Sequence, residues 1–230
     1  MRAERQFLIF DADDTLWENN IYFEAAFEQF CDYLAHSSLN PAEVRNVLDE
    51  IEIVNTQLHG YGSRNFARNL SECYRRLSER DISDADLHTV MDFAHAILER
   101  PMELIDGVAE TLRELAERHS LTLFTKGDAE EQRLKIDRSG LAPYFEHYAI
   151  VKEKNEQAYR KLADERGLNP VSTWMIGNSP KSDILPALSA GLGAVFVPHA
   201  RTWVLEKTTL PDRHPRLTTV QSITHLRKLF

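Results

Sequence analysis

The fold of this chain is decided near its N-terminus, by the ten residues FLIFDADDTL at Phe7–Leu16. Four apolar residues in succession, Phe7–Phe10, predict a short strand that is buried on both faces, as in a parallel sheet. Acidic residues follow this strand at once, at Asp11, Asp13 and Asp14. Acids placed directly after a buried strand favour a functional site over a plain turn or a helix cap.

Two patterns of apolar residues divide the rest of the chain. From about Glu18 to Arg100, apolar residues recur at helical spacing and predict four helices with no strand between them. Beyond Pro101, helical and extended patterns alternate, which implies right-handed crossovers and a parallel sheet with helices on both faces. The predicted strands there are 121–124, 148–151, 173–176 and 194–197. An all-helical insert therefore follows the first strand of an open α/β core.

Composition limits the partners and the compartment. The 230 residues include 36 acidic and 27 basic side chains, which gives a formal charge of −9. A net anion is repelled by phosphate backbones and anionic lipid, so we expect neither nucleic acid nor a membrane as a partner. No apolar run approaches the roughly 18 residues of a membrane span, and the charged N-terminus lacks a signal-peptide layout. Cys31 and Cys73 have no CxxC spacing and are expected to be buried thiols. We predict a cytoplasmic protein.

Polar residues also follow the later strands of the predicted sheet. Thr125 and Lys126 end the second strand, Gly177–Asp183 follows a later strand, and Lys152 and Lys154 come after the short strand between them. In doubly wound sheets, sites form beyond the carboxyl ends of the strands. Four separate segments are therefore expected to bring carboxylates, a hydroxyl and lysines to one crevice.

These motifs resemble those of the haloacid dehalogenase-like superfamily of phosphotransferases. The resemblance covers residues 5–16 and about 103–200, and Gly177–Asp183 matches the family's fourth motif in spacing. It implies an α/β fold in which a Rossmann-like doubly wound parallel sheet forms the catalytic core, residues 1–16 and 101–230. The insert at residues 17–100 would be the family's all-helical cap domain.

The resemblance also implies a division of chemical roles. Asp11 would be the nucleophile that forms an aspartyl-phosphate. Asp13, which points to the same side in an extended segment, would protonate the leaving oxygen and then deprotonate water. The first of these tasks requires a raised pKa, which we expect neighbouring acids to provide. Thr125 would donate its hydroxyl to a phosphoryl oxygen, together with the main-chain N–H of Lys126.

Charge balance calls for a metal ion. A phosphate dianion, Asp11 and Asp183 bring four negative charges when Asp13 is neutral, and Lys154 returns only one positive charge. Mg²⁺ returns two more and prefers hard oxygen ligands. The ligands that the resemblance implies are Asp11, the main-chain carbonyl of Asp13 and Asp183. Asn178, where many family members have Asp, would hold a metal-bound water.

Other side chains are expected to lie at the margin of the site or outside it. Lys154 is preferred to Lys152 as the site lysine because its spacing to the next tyrosine is typical of the family's third motif. We expect the Lys126 side chain to face solvent and Lys135 to be a surface residue on its helix. Asp14, where glycine is common, would face solvent or cap a turn.

Two segments leave their role open. Gly60–Asn65 breaks the helices of the insert and is either a plain interhelical turn or a loop that reaches the crevice. His199–Trp203, which follows the last core strand, lies where it would line the entrance to the crevice.

The sequence therefore predicts a Mg²⁺-dependent phosphatase that hydrolyses a small phosphorylated metabolite. A helical lid would exclude bulky macromolecules, which favours a small phosphomonoester as the substrate. A phosphomutase and a catalytically weak module that only holds a phosphate ligand are the alternatives. A dehalogenase is disfavoured, because family members with that activity lack an acid at the position of Asp13. Neither the natural substrate nor the oligomeric state follows from the sequence.

Overall fold

The computed structural model describes residues 4–230 and divides the chain into two compact units. One unit combines the N-terminal segment that ends at Glu18 with Met102–Phe230. The other unit is Asn19–Pro101. Among the residues that the structure describes, no helix is both long enough and apolar enough to cross a membrane.

The described residues of the first unit form a six-stranded sheet in which all neighbouring strands are parallel. The strands are β1 (Phe7–Phe10), β2 (Ser120–Lys126), β3 (His147–Val151), β4 (Thr173–Gly177), β5 (Gly193–Phe196) and β6 (Leu217–Thr219). Their order across the sheet is β3-β2-β1-β4-β5-β6, which is the order of doubly wound, Rossmann-type sheets. The predicted fold class, α/β with a Rossmann-like parallel sheet, is confirmed. Strand β6 was not predicted.

The second unit consists of helices. Its α-helices are α1 (Asn20–Leu34), α2 (Pro41–His59), α3 (Ser63–Leu77) and α4 (Asp84–His95). Their apolar faces form one core, in which Phe30, Leu48, Leu70 and Val90 are fully buried. Residues 60–62 connect α2 to α3, and the Asn65 side chain donates a hydrogen bond to the carbonyl of Gly60 at 2.7 Å. Within this unit, Gly60–Asn65 is thus a connection followed by the first turn of α3.

Helices cover both faces of the sheet. They are α5 (Val108–Ala116), α6 (Ala129–Ser139), α7 (Glu156–Arg166), α8 (Leu185–Ser189) and α9 (Leu226–Leu229). On β1, Leu8 and Phe10 pack into the core that contains Leu112 of α5, whereas Ile9 packs into the core that contains Tyr159 of α7. The first strand is therefore buried on both faces, as its four apolar residues predict. Burial of each such side chain contributes about 1.5–3 kcal/mol, which fixes β1 in the middle of the sheet.

Candidate active site

Asp11 lies at the carboxyl end of the central strand. Its main-chain N–H donates to the carbonyl of Ile176 on β4 at 2.9 Å, which continues the pairing of β1 by one residue. The chain then turns, because the N–H groups of Thr15 and Leu16 both donate to the carbonyl of Ala12. The Asp11 side chain is buried at the point where β1 stops.

Lys154 connects two carboxylates from different segments. Its ammonium donates to Asp11 Oδ1 at 2.5 Å and to Asp183 Oδ1 at 2.8 Å. All three residues are buried. Burial acts to lower the pKa of the Lys154 ammonium, but the charges of Asp11 and Asp183 raise it well above its ordinary value. Lys152, the other candidate, is exposed.

Asp183 is presented by a turn of π-helix, Pro180–Ile184, which follows β4. The N–H of Ser179 donates to Asp183 Oδ2 at 2.9 Å and helps to orient the carboxylate. Burial and the negative charge of Asp11 raise the pKa of the Asp183 carboxyl to about 7, although Lys154 acts in the opposite direction. The Lys154 ammonium therefore offsets only part of the effect that burial and the Asp11 charge have on the Asp183 carboxyl.

A buried hydroxyl lies between Asp11 and Asn178. Thr15 Oγ1 is 2.9 Å from Asp11 Oδ2, to which it donates, and 3.2 Å from Asn178 Oδ1. The amide of Asn178 donates to Thr202 Oγ1 at 3.0 Å, which connects the site to the segment after β5. Sequence reasoning did not assign Thr15 to the site. Its position four residues after Asp11, in the same turn, was the available signal.

Thr125 and Lys126 end β2, next to β1. Leu123 pairs with Phe10, so Thr125 lies two residues beyond that pair at the same edge of the sheet, and its side chain is buried. The Lys126 ammonium donates to Glu206 Oε1 at 2.6 Å and to Ser182 Oγ at 2.9 Å. The expectation that the Lys126 side chain faces solvent is therefore wrong.

Glu206 connects the ends of two strands. Its Oε1 accepts from Lys126 after β2, and its Oε2 accepts from Ser179 Oγ after β4 at 2.5 Å. Glu206 belongs to a single 3-10 turn between β5 and β6 and is buried. No local pattern in the sequence distinguishes it from a surface glutamate.

The Asp13 carboxylate is surrounded by donors. Lys135 donates to both of its oxygens at 2.9 Å, Gln132 Nε2 donates to Oδ2 at 2.8 Å, and Trp17 Nε1 donates to Oδ1 at 2.7 Å. Burial acts to raise the pKa of the Asp13 carboxyl, but the Lys135 charge and these hydrogen bonds hold it below its ordinary value. Two expectations are therefore wrong. The pKa of Asp13 is lowered, not raised, and Lys135 is not a surface residue, because its helix turns it toward the acid.

Asp14 points toward the segment that follows β5. Its backbone is in the left-handed region, with φ of 58°, and its side chain is buried. Asp14 Oδ1 lies 3.9 Å from His199 Nδ1, and Glu18 Oε2 lies 3.3 Å from His199 Nε2. The Asp14 side chain is therefore buried beside His199 and does not face solvent.

The donor set around Asp11 fits a divalent cation. Lys154 brings the two buried carboxylates of Asp11 and Asp183 together, and burial and the charge of Asp11 raise the pKa of Asp183 in spite of this ammonium. Carboxylate and carbonyl oxygens are the ligands that Mg²⁺ prefers. Asp11, Asp183 and the main-chain carbonyl of Asp13 are the groups that would hold such an ion.

The fold and the site together define a class: an α/β protein with a Rossmann-type sheet whose strand ends carry an acid- and lysine-rich centre. Within this class, a family model described as haloacid dehalogenase-like hydrolase matches residues 7–191. The chain belongs to that family of hydrolases. The resemblance stated from the motifs is thereby confirmed.

Curated relatives match a smaller part of the chain. N-acylneuraminate-9-phosphatase from Mus musculus is 34% identical over 98 residues, and the same enzyme from Homo sapiens is 31% identical over 98 residues. Each match covers 40% of this chain and 40% of the relative. The chain therefore matches less than half of the length of these phosphatases.

Solved structures match nearly the whole chain. A haloacid dehalogenase-like family hydrolase from Xanthomonas campestris has a TM-score of 0.83 and 29% identity, and the match covers 98% of this chain and 94% of that chain. The hydrolase YfnB from Bacillus subtilis, solved bound to magnesium, has a TM-score of 0.71 and 16% identity over 98% of both chains. The second likeness is one of fold alone.

Proposed function

We propose that this protein is a Mg²⁺-dependent phosphatase that hydrolyses a small phosphomonoester through an aspartyl-phosphate on Asp11. The observation that carries this proposal is the position of Asp11. Its carboxylate lies buried at the tip of the central strand and is oriented by Lys154 and Thr15, with Asp183 beside them. A positioned carboxylate of this kind replaces water as the nucleophile and divides hydrolysis into two steps.

In the first step, an oxygen of Asp11 attacks the phosphorus of the ester. The bond from phosphorus to the alcohol oxygen breaks, and Asp13 donates a proton to that oxygen. Lys154 and the hydroxyl of Thr125 stabilise the charge that develops on the phosphoryl oxygens. Asp11, Asp183 and the carbonyl of Asp13 would hold a Mg²⁺, which would supply the remaining positive charge.

In the second step, Asp13 accepts a proton from water as the water oxygen attacks phosphorus. The bond between phosphorus and the Asp11 oxygen breaks, which releases inorganic phosphate and restores the free carboxylate. Over the two steps Asp13 gives one proton and regains one. The lowered pKa of Asp13 in the unliganded protein suits the second step, in which the carboxylate must be ionised. The proton for the first step comes from a monoanionic phosphate ester, whose second pKa is about 6, and it leaves again with inorganic phosphate.

The substrate class is proposed from the curated relatives. Because the mouse and human relatives are N-acylneuraminate-9-phosphatases, the 9-phosphate of an acidic sugar is the first ester to test. Other sugar phosphates, phosphoglycolate and nucleoside monophosphates complete the panel, since the matched part of the chain is too short to select among them.

The test is release of inorganic phosphate from this panel, with Mg²⁺ and with EDTA. We expect Mg²⁺-dependent turnover of at least one ester and none by Asp11→Asn, with both proteins equally folded by circular dichroism. Turnover by Asp11→Asn equal to that of the wild type would exclude Asp11 as the nucleophile. Transfer of the phosphoryl group to a second hydroxyl would instead identify a phosphomutase, and phosphate binding without turnover would identify a binding module.

A further inference from the structure

We propose that Gln132 and Lys135, on helix α6, are positioning residues that hold the carboxylate of Asp13 for proton transfer. This inference rests on the proposed function and adds to it a second element of the active site. Neither residue needs to contact the substrate. Both act through Asp13, which they reach across 119 and 122 residues of sequence.

The hydrogen bonds fix the carboxylate in both position and plane. Oδ1 accepts from Lys135 and Trp17, and Oδ2 accepts from Lys135 and Gln132, so each oxygen has two donors. The donors come from two segments, because Trp17 belongs to the turn after β1 whereas Gln132 and Lys135 belong to α6. A carboxylate held from two sides cannot rotate about its χ angles without losing several hydrogen bonds.

Helix α6 directs the side chains of Gln132 and Lys135 toward Asp13 from the same face. Gln132 and Lys135 are three residues apart and therefore lie on one face of the helix. The helix begins after Asp128, whose side chain accepts hydrogen bonds from the N–H groups of Glu130 and Glu131. This cap fixes the first turn of the helix, and therefore the direction in which the Gln132 side chain projects from it.

Gly127 gives the Gln132 side chain the room that it needs. Its φ of 137° is in a region that favours glycine, and a Cβ at this position would lie 3.0 Å from Gln132 Nε2. The other amide atom, Gln132 Oε1, is buried without a hydrogen-bond partner among the described residues. A buried acceptor of this kind is costly. If the amide were reversed, its oxygen would lie against the Asp13 carboxylate and repel it. The observed orientation keeps the hydrogen bond from Gln132 Nε2 to Asp13, and it leaves Gln132 Oε1 without a partner.

Proton transfer explains why this acid needs to be held. In the first step Asp13 must place its proton on the leaving oxygen, and in the second its carboxylate must receive a proton from water. Positioned general acids and bases contribute about 10²–10⁴-fold to rate, and a shift of an ångström is enough to lose much of this. A carboxylate that is free to rotate would be oriented for proton transfer in only a fraction of the molecules at any time.

The test compares two esters that differ in their need for an acid. An alkyl phosphate has a poor leaving group and needs protonation, whereas p-nitrophenyl phosphate does not. The value of kcat/KM reports the first step, so the comparison isolates proton donation. Removal of the Lys135 charge would by itself favour the protonated form of Asp13, so a loss of rate on the alkyl ester reports lost positioning and not lost acidity. For Lys135→Met we expect kcat/KM to fall at least about tenfold more on the alkyl ester than on the nitrophenyl ester, with KM within about twofold of wild type on either. Lys135→Arg should restore part of the loss.

Controls separate this role from a purely structural one. Lys152→Met, at an exposed lysine after β3, should leave both esters unaffected. If Lys135→Met does not fold, Gln132→Leu removes one donor from Asp13 and should give the same selective loss to a smaller degree. An equal loss on both esters, or no loss in a folded variant, would overturn the inference. Wild-type protein that hydrolyses neither ester nor any member of the panel would overturn the proposed function, and this inference with it.

Discussion

Gly177, the last residue of β4, lies so close to Asp183 that a side chain cannot be accommodated between them. A Cβ placed on Gly177 would be 2.2 Å from Asp183 Oδ2 and 2.5 Å from its Cγ. The contact arises because the π-helical turn after β4 folds back over the end of its own strand. The absence of a side chain at Gly177 therefore leaves the space that the carboxylate of a proposed metal ligand occupies.

Replacement of Gly177 by alanine is expected to displace Asp183. Steric overlap in a buried site costs about 1–3 kcal/mol of unfolding free energy. Because small displacements in an active site lower rates steeply, we expect kcat/KM to fall about 100-fold. The half-saturating Mg²⁺ concentration for activity should rise. Enzyme assays over a Mg²⁺ titration and urea unfolding measure the three effects.

The matched control is Gly140→Ala. Gly140 has φ of +67°, and nothing lies within 4 Å of an added Cβ, so the substitution imposes only backbone strain. We expect it to cost about 1–2 kcal/mol of stability and to leave kcat/KM unchanged. If the Gly177→Ala protein had the Mg²⁺ dependence of the wild type, the prediction would be wrong. Displacement of Asp183 would then not affect the metal requirement of the enzyme.

Lys154 is expected to matter far more than its neighbour Lys152. Lys154→Met leaves the buried carboxylates of Asp11 and Asp183 without their shared ammonium. Removal of one partner from a buried ion pair costs about 3–5 kcal/mol, whereas an exposed substitution such as Lys152→Met stays within about 0.5 kcal/mol. Urea unfolding at pH 7 measures the difference. Phosphate release should be abolished in the first variant and retained in the second, and the opposite order would show that Lys152 is the site lysine.

The sheet was predictable because its signal is local. Four apolar residues at Phe7–Phe10 identify a strand that is buried on both faces, and the alternation of strands and helices after Pro101 identifies a parallel sheet. Strand β6 escaped prediction because it has three residues, Leu217–Thr219, of which only the first is apolar. Its pairing with β5 comes from tertiary structure, which so short a segment does not encode.

The site was predictable only where it follows the strands directly. Asp11 and Asp183 are found from the ends of β1 and β4, because parallel strands bring their carboxyl ends to one edge. Lys135 and Glu206 are not, since each pairs with a residue about 80 to 120 positions away and their local patterns suit a solvated surface. The wrong expectation for the pKa of Asp13 has the same origin. Nearby acids are visible in the sequence, but the lysine and the hydrogen bonds that outweigh the effect of burial are not.

Glu206 is expected to stabilise the protein in a pH-dependent way. Burial acts to raise the pKa of its carboxyl, but Lys126 and the hydrogen bonds of Ser179 and Ser182 hold it below the ordinary value of 4.5. A lowered pKa contributes stability above pH 4.5 that is lost as the pH falls through the lowered value. Glu206→Gln leaves the Lys126 ammonium without its anion and should cost about 1–3 kcal/mol at pH 7. The difference from wild type should shrink as the pH falls below 4.5.

Urea unfolding of both proteins at pH 7 and at several values below pH 4.5 tests this linkage. Glu156→Gln is the matched control, because Glu156 forms an exposed pair with Arg160 on α7. Its effect should stay within about 0.5 kcal/mol at every pH. A constant gap between wild type and Glu206→Gln across the acid range would show that the carboxylate charge is not what stabilises this region.

The thiol of Cys73 is expected to make the stability of the helical unit depend on pH in the alkaline range. It is buried in the core of that unit, and burial raises the pKa of its thiol from 9.0 to about 12. Since the folded state binds the proton more tightly, its contribution to stability is complete below pH 9 and is lost as the pH rises toward 12. Over this window the unfolded chain ionises first, which lowers the unfolding free energy by about 1.4 kcal/mol per pH unit. Guanidinium unfolding between pH 8 and 10.5 should therefore show a steeper decline for wild type than for Cys73→Ala, whatever cavity the alanine leaves. Equal slopes would mean that the thiol ionises as readily in the folded unit as in the unfolded chain, which a fully enclosed side chain does not allow.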